Sequence, residues 1–391
     1  MKPQIKDILI LAILNLSATS GAFAAELNIR HGSNDELVLS GLSCSKLIEQ
    51  RDALCQWKKT LDSTFNYPAS TSDLCKTNSR GISTVSVLSC LPDFPKKYAA
   101  KTLARNGPNC WGTAMSFHGL AQKPRFLWDQ EMMYWMETPV CRKLEVGEAK
   151  QAGDVVNVFY PEFMSEEDSA QPADPGTNFW EALYPGRYSR LNPASVQGYT
   201  GYHGLLHSVT WITPELAFGK DSPSKEDQFY FHRMGEVYGR PRGGEVNGVN
   251  SGETACQENQ ALSPYLREYQ QPPRHIKGSS CSYFSVAYRC GSIPAYFSQQ
   301  NLSPADQALW TNIQTLQTQA AKLFPMILSL SNTIASNEVT RLLALSDSTV
   351  QKDQQALSTP HLDKTTEMLL TLEYFTAAGI RKTLDQAIHG N

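Results

Sequence analysis

Nine cysteines constrain this chain more than any other feature: Cys44, Cys55, Cys75, Cys90, Cys110, Cys141, Cys256, Cys281 and Cys290. The segment 41–63, "GLSCSKLIEQRDALCQWKKTLDS", repeats leucine at Leu47, Leu54 and Leu61 with few helix breakers, which predicts a helix. On such a helix Cys44 and Cys55 stand roughly 16 Å apart, at ~1.5 Å rise per residue, beyond disulfide reach. Both are therefore expected to pair with Cys75 and Cys90, in an order the sequence leaves open. That defines a small disulfide-stapled module over 25–95. Cys141, Cys256, Cys281 and Cys290 are expected to make two further bridges. Eight paired cysteines leave one over. In an oxidising compartment such a thiol is either intermolecular or reactive.

The N-terminus points to that compartment. Lys2 and Lys6 precede an apolar run from Ile8 to Leu16, and Ala22-Phe23-Ala24 fits the small-residue rule for signal cleavage. Residues 1–24 read as an export signal, which predicts a periplasmic or secreted product. The run is too short to span a bilayer comfortably, and no later segment is apolar enough, so no membrane span is expected. The formal net charge of −3 gives no electrostatic reason to expect a nucleic-acid partner. With 391 residues the chain is long enough for two or three cores.

The pattern along the chain predicts an α+β protein. Between 96 and 240 a helix is expected from Cys110 towards Leu120 and another through "FLWDQEMMYWMETP". Strands are expected at 154–160, 207–212, 215–220 and 228–234. A polar, Pro/Gly-rich insertion at 161–202 separates the first two strands, long enough to cover a site. Residues 241–302 are rich in Gly and Pro, with a candidate strand in "SYFSVAYR". From 303 to 391 the chain reads as helical. Ser303 is placed as N-cap with Pro304 following, Pro325 as a kink, and a last helix runs from about Leu362 to Ile388. The apolar stripes of these helices are packing faces and offer a surface for a protein partner.

The stretch "NGPNCWGTAMSFHGL" (106–120) places Cys110 beside a Gly-Pro turn, at the start of a helix. There the partial positive charge and unpaired N–H groups favour thiolate and can donate to an oxyanion. Small Gly112, Thr113 and Ala114 allow the helix to approach a sheet closely. His207 opens the alternating strand "HSVTWI", and a helix-start Cys facing a strand His is the minimum for a Cys/His nucleophile pair. Trp111, beside the thiol, is a candidate to line a substrate cleft. His203 and His207 would need a helix to share a metal at that spacing, and Gly204 argues against one, so no metal is assigned. No P-loop, dinucleotide fingerprint or G-x-S-x-G elbow is present, and no cofactor is expected.

The order of these elements resembles the NlpC/P60-like, papain-like cysteine peptidase and amidase superfamily over about 95–240. Its pattern is a Cys at a helix start, a "PGD"-type entry into a strand, a His at the next strand start, and a third polar residue. Cys110, "AGDVVNVFY" (152–160) and "HSVTWITPELAFGK" (207–220) match in turn, with "NCWG" in place of the more usual "DCSG". The resemblance implies a helix packed on an antiparallel sheet and amide hydrolysis in peptidoglycan peptides. It implies Cys110 as nucleophile, His207 as base and a third residue among Lys220, Asp221 and Ser222, of which Asp221 could best orient a His ring. "NCW" is also similar to transglutaminase-like proteases, which share the Cys-His-Asp order but differ around the His. A non-enzymatic envelope or secreted binding protein on the same scaffold is the competing class.

Overall fold

The computed structural model describes residues 27–31, 37–66, 72–101, 103–145, 148–159, 205–234, 284–328, 336–359 and 361–389. The expected export signal, the 161–202 insertion, His203, Cys256 and Cys281 lie outside these residues.

Helix α1 (Cys44–Leu61) forms where the leucine repeat predicts it. Leu47, Leu54 and Trp57 are fully buried while Leu61 is 40% exposed, so the packing face ends before the repeat does. The helix covers a small antiparallel sheet of β1 (Asn28–His31), β2 (Leu37–Ser40), β3 (Cys75–Thr77) and β4 (Ser83–Ser86), in the order β1-β2-β4-β3. Disulfides Cys44–Cys75 and Cys55–Cys90 fix α1 to β3 and to the short helical turn Leu88–Cys90. Both helix cysteines thus pair outside the helix, as its length requires.

The larger sheet has six strands: β5 (Cys141–Lys143), β6 (Val155–Phe159), β7 (Leu205–Thr213), β8 (Leu216–Lys220), β9 (Phe229–Arg233) and β10 (Phe284–Cys290). Their order is β5-β10-β6-β7-β8-β9 and every neighbouring pair is antiparallel. The strands expected from alternation fall on β6 to β10, and the α+β class stands. β10 lies inside the sheet, between β5 and β6. Cys141–Cys290, 149 residues apart in sequence, staples it to β5.

Helices α2 (Asp93–Tyr98), α3 (Cys110–Ser116) and α4 (Asp129–Glu137) follow the small sheet in sequence. α3 stops short of Leu120; Gly119, at φ 75°, turns the chain away in a conformation that favours glycine. Phe218, Phe229 and Phe231 of the large sheet share one core with Leu47, Leu54 and Trp57 of α1. Phe117, just past α3, sets its ring edge-on against Trp57 at 4.9 Å and Phe218 at 5.8 Å.

The C-terminal part folds as α5 (Ile293–Ser298), α6 (Pro304–Leu328), α7 (Ser336–Leu357) and α8 (Lys364–His389). Ser303 caps α6, its Oγ accepting from the Asp306 N–H at 3.2 Å and bonded to the Asp306 carboxylate at 2.7 Å. The assigned helix α6 runs through Pro325. Trp310 and Ile313 of α6 and Leu369 and Leu372 of α8 enter the core formed by Met115, Trp135 and Phe297. The terminal helices therefore complete the core beneath α3 and α4. No helix among the described residues is long and apolar enough to cross a membrane.

Candidate active site

Asn109 sets the start of α3. Its Oδ1 accepts from the N–H groups of Gly112 and Leu127, both at 3.1 Å, and its Nδ2 donates to the Leu127 carbonyl at 2.7 Å. One buried side chain thus caps the helix and ties it to the segment crossing its first turn. That crossing is tight: a Cβ on Gly112 would lie 1.7 Å from the Arg125 carbonyl oxygen. Cys110 occupies the first helical position, held between this segment and the sheet.

The sheet presents a row of polar groups to α3. Pairing of Asn157 with Ser208 and of Val155 with Thr210, together with side-chain alternation, places Asn157, Ser208, Thr210 and Lys220 on the face that α3 covers. All four residues are fully buried. Ser208 Oγ donates to Asn157 Oδ1 at 2.5 Å. Cys110 is 4% exposed, and among the described residues it is the one free cysteine. Burial pushes its thiol up to about 12, and the negative charge of Asp221 acts the same way. The backbone N–H groups of Ser208, Trp111 and Cys110 itself pull in the other direction, towards thiolate.

His207 falls on the opposite face of β7 from Ser208. Its Nε2 lies 3.9 Å from Asp221 Oδ1, and Nε2 of His232 on β9 lies 3.9 Å from the same oxygen. Asp221 therefore stands between two imidazoles. The thiol meets the backbone of Ser208, the residue after His207.

Among the three candidates for the third position, Asp221 alone is beside His207. Lys220 faces α3; its Nζ donates to the carbonyls of Ser222 and, at 2.7 Å, Ser224. Burial lowers its pKa to about 8, against the raising effect of the Asp227, Cys110 and Asp221 charges. Ser222 is used within its own loop, its Oγ donating to the Asp227 carboxylate. Trp111 packs partly buried against the Met115/Trp135 core, with its Nε1 enclosed.

Sequence reasoning missed Asn109, His232 and the buried polar row. An Asn directly before a helix was a capping signal. The row was visible only as parity: Asn157, Ser208, Thr210 and Lys220 share a face once the strand register is known. No family model matches the chain, and neither a curated protein nor a solved structure matches it.

Proposed function

We propose that the chain is an exported cysteine hydrolase with an NlpC/P60-like core that cleaves an amide bond in peptidoglycan peptides. The observation that carries this reading is the placement of the unpaired Cys110 at the start of a helix packed on an antiparallel sheet. Its thiol lies against the Ser208 N–H, one residue from a His207 ring that is 3.9 Å from Asp221. Three disulfides among the described residues fit an oxidising compartment, and the predicted signal at 1–24 gives the route there.

The chemistry is acyl transfer. The thiol proton passes to His207, and Cys110 Sγ attacks the carbonyl carbon. The oxyanion is held by N–H groups, and protonated His207 gives its proton to the leaving amine. Water, deprotonated by His207, then releases the acyl group and returns Cys110 to a thiol. Asp221 orients the imidazole and favours its protonated form. Burial favours the neutral thiol and alternation sets the His207 ring on the other face of β7, so this reading requires thiol and imidazole to be brought to one side of the strand before the proton moves.

The test is cleavage of isolated cell-wall sacculi by the native protein and by Cys110→Ala. Loss of peptide release by a variant with the native circular-dichroism spectrum is the expected result. Equal release by both proteins contradicts the reading. One observation favours a second reading, a non-enzymatic binding protein: Cys110 is buried, as a packing residue would be. That reading predicts that both proteins bind sacculi and neither cleaves them.

A further inference from the structure

The loop after β8 is joined to the chain leading into α3. The Lys225 N–H donates to Asn106 Oδ1 at 2.8 Å, and the Gly107 N–H donates to the Pro223 carbonyl at 2.8 Å. Within the loop, the Ser224 N–H donates to Ser222 Oγ at 3.1 Å, and Ser222 Oγ in turn donates to Asp227. The bonds from Lys220 Nζ to the Ser222 and Ser224 carbonyls fold this loop over a single ammonium group. Lys220 has no exposed surface, and its Nζ stands 6.0 Å from the Phe229 ring centroid. Strand register places it on the sheet face that α3 covers and His207 and His232 on the other, and the Cys110 charge acts on it.

We propose that Lys220 is a positioning residue for the Cys110 site, holding the 221–227 loop against Asn106–Gly107 and setting a positive charge towards the thiol. This rests on Cys110 being the reactive thiol. One side chain then serves both halves of the site, since the loop it folds begins with Asp221, the neighbour of His207. A buried cation has to be offset by charge or hydrogen bonds, and the two carbonyls and Asp227 supply them. The charged and titratable groups acting on it are Asp227 and Asp221 from the loop and Cys110 from α3.

The test is the rate of Cys110 alkylation by iodoacetamide in the unreduced full-length protein, followed by peptide mapping from pH 6 to 10. At pH 8, Lys220→Met is expected to react about tenfold more slowly than the native protein, because the thiolate loses a nearby cation. Lys220→Arg keeps the charge and restores the rate. An unchanged or faster rate in Lys220→Met overturns the proposal, since a purely structural lysine would only loosen the cover over the thiol. Should Lys220→Met not fold, Lys220→Arg carries the test. The native rate is expected to rise less than tenfold per pH unit above about 8, where the lysine loses its proton, and the arginine variant to keep its slope. Identical slopes overturn the proposal. Alkylation does not depend on hydrolysis. A Lys220-dependent rate in a protein that cleaves no sacculi therefore leaves this inference standing and removes the hydrolase reading, and the reverse pattern does the opposite.

Discussion

Asn109 makes three hydrogen bonds at the start of α3, two of them to the main chain of Leu127. Asn109→Ala leaves that buried backbone unpaired and removes the cap, and is expected to cost roughly 2–3 kcal/mol in urea unfolding. Asn109→Asp keeps the two accepted bonds but sets an acceptor oxygen against the Leu127 carbonyl, so it too should be destabilised even though the cap is retained. An alanine variant as stable as the native protein would show that the cap does not hold the helix start. Gly112→Ala tests the crossing beside it. With the Arg125 carbonyl oxygen 1.7 Å from the added carbon, backbone has to shift, at a cost of about 2–3 kcal/mol. An unchanged urea midpoint would contradict the close approach. At this scale the sequence was half legible. Cys110, His207 and Asp221 could be singled out because their side-chain chemistry is rare in such contexts. Asn109 and Lys220 act through main-chain partners, Leu127 and Ser224, whose proximity no local pattern announces.

Elements were more legible than their pairings. α1 and strands β6 to β9 follow from periodicity, whereas the short strands β1 to β5 carry too few residues to show any. α7 was not separated from its neighbours by sequence. It meets α8 through a buried acidic contact: Asp353 and Glu373 are both almost fully buried, with Lys352 Nζ 3.5 Å from the first and 3.3 Å from the second. Burial raises the Asp353 pKa to about 8, and the Glu373 charge adds to it, against the opposing charge of Lys352. The unfolded carboxyl titrates near 3.8, so the folded chain holds this proton where the unfolded chain has lost it. Stability from this group is full below about pH 4 and declines up to about pH 8, by roughly 1.4 kcal/mol per pH unit, then levels off. Melting temperatures across pH 5–9 should fall less steeply for Asp353→Asn than for the native chain; equal slopes would remove the buried acid from the explanation. The Cys141–Cys290 bridge is the second test at this scale. Replacing both cysteines by serine frees a link between residues 149 apart and should cost roughly 2–5 kcal/mol. A variant that melts at the native temperature would show that the β5–β10 pairing needs no staple.

Across the whole molecule, composition divides the chain at 95, 240 and 302, but the cores run across those positions. Ile212, Leu216 and Phe218 pack with Leu47 and Leu54, and Met115 and Trp135 pack with Trp310, Ile313 and Leu369. Composition records how a segment was built, whereas core sharing depends on which faces meet, and stripes on separate helices do not declare their partners. A chain ending at residue 302 should therefore lose the cooperative unfolding transition; a sharp native-like transition would mean that the helices fold as a separate module. The placement of Cys110 beneath this shared core is the feature on which the proposed function depends. Its most direct test is acid quenching of the full-length protein during turnover of isolated sacculi, followed by peptide mapping of the unreduced chain by mass. An acyl group carried by Cys110, with no such adduct in Cys110→Ala, is the expected result. Peptide release that proceeds with Cys110 unmodified, or with Cys110 locked in a disulfide, would contradict it.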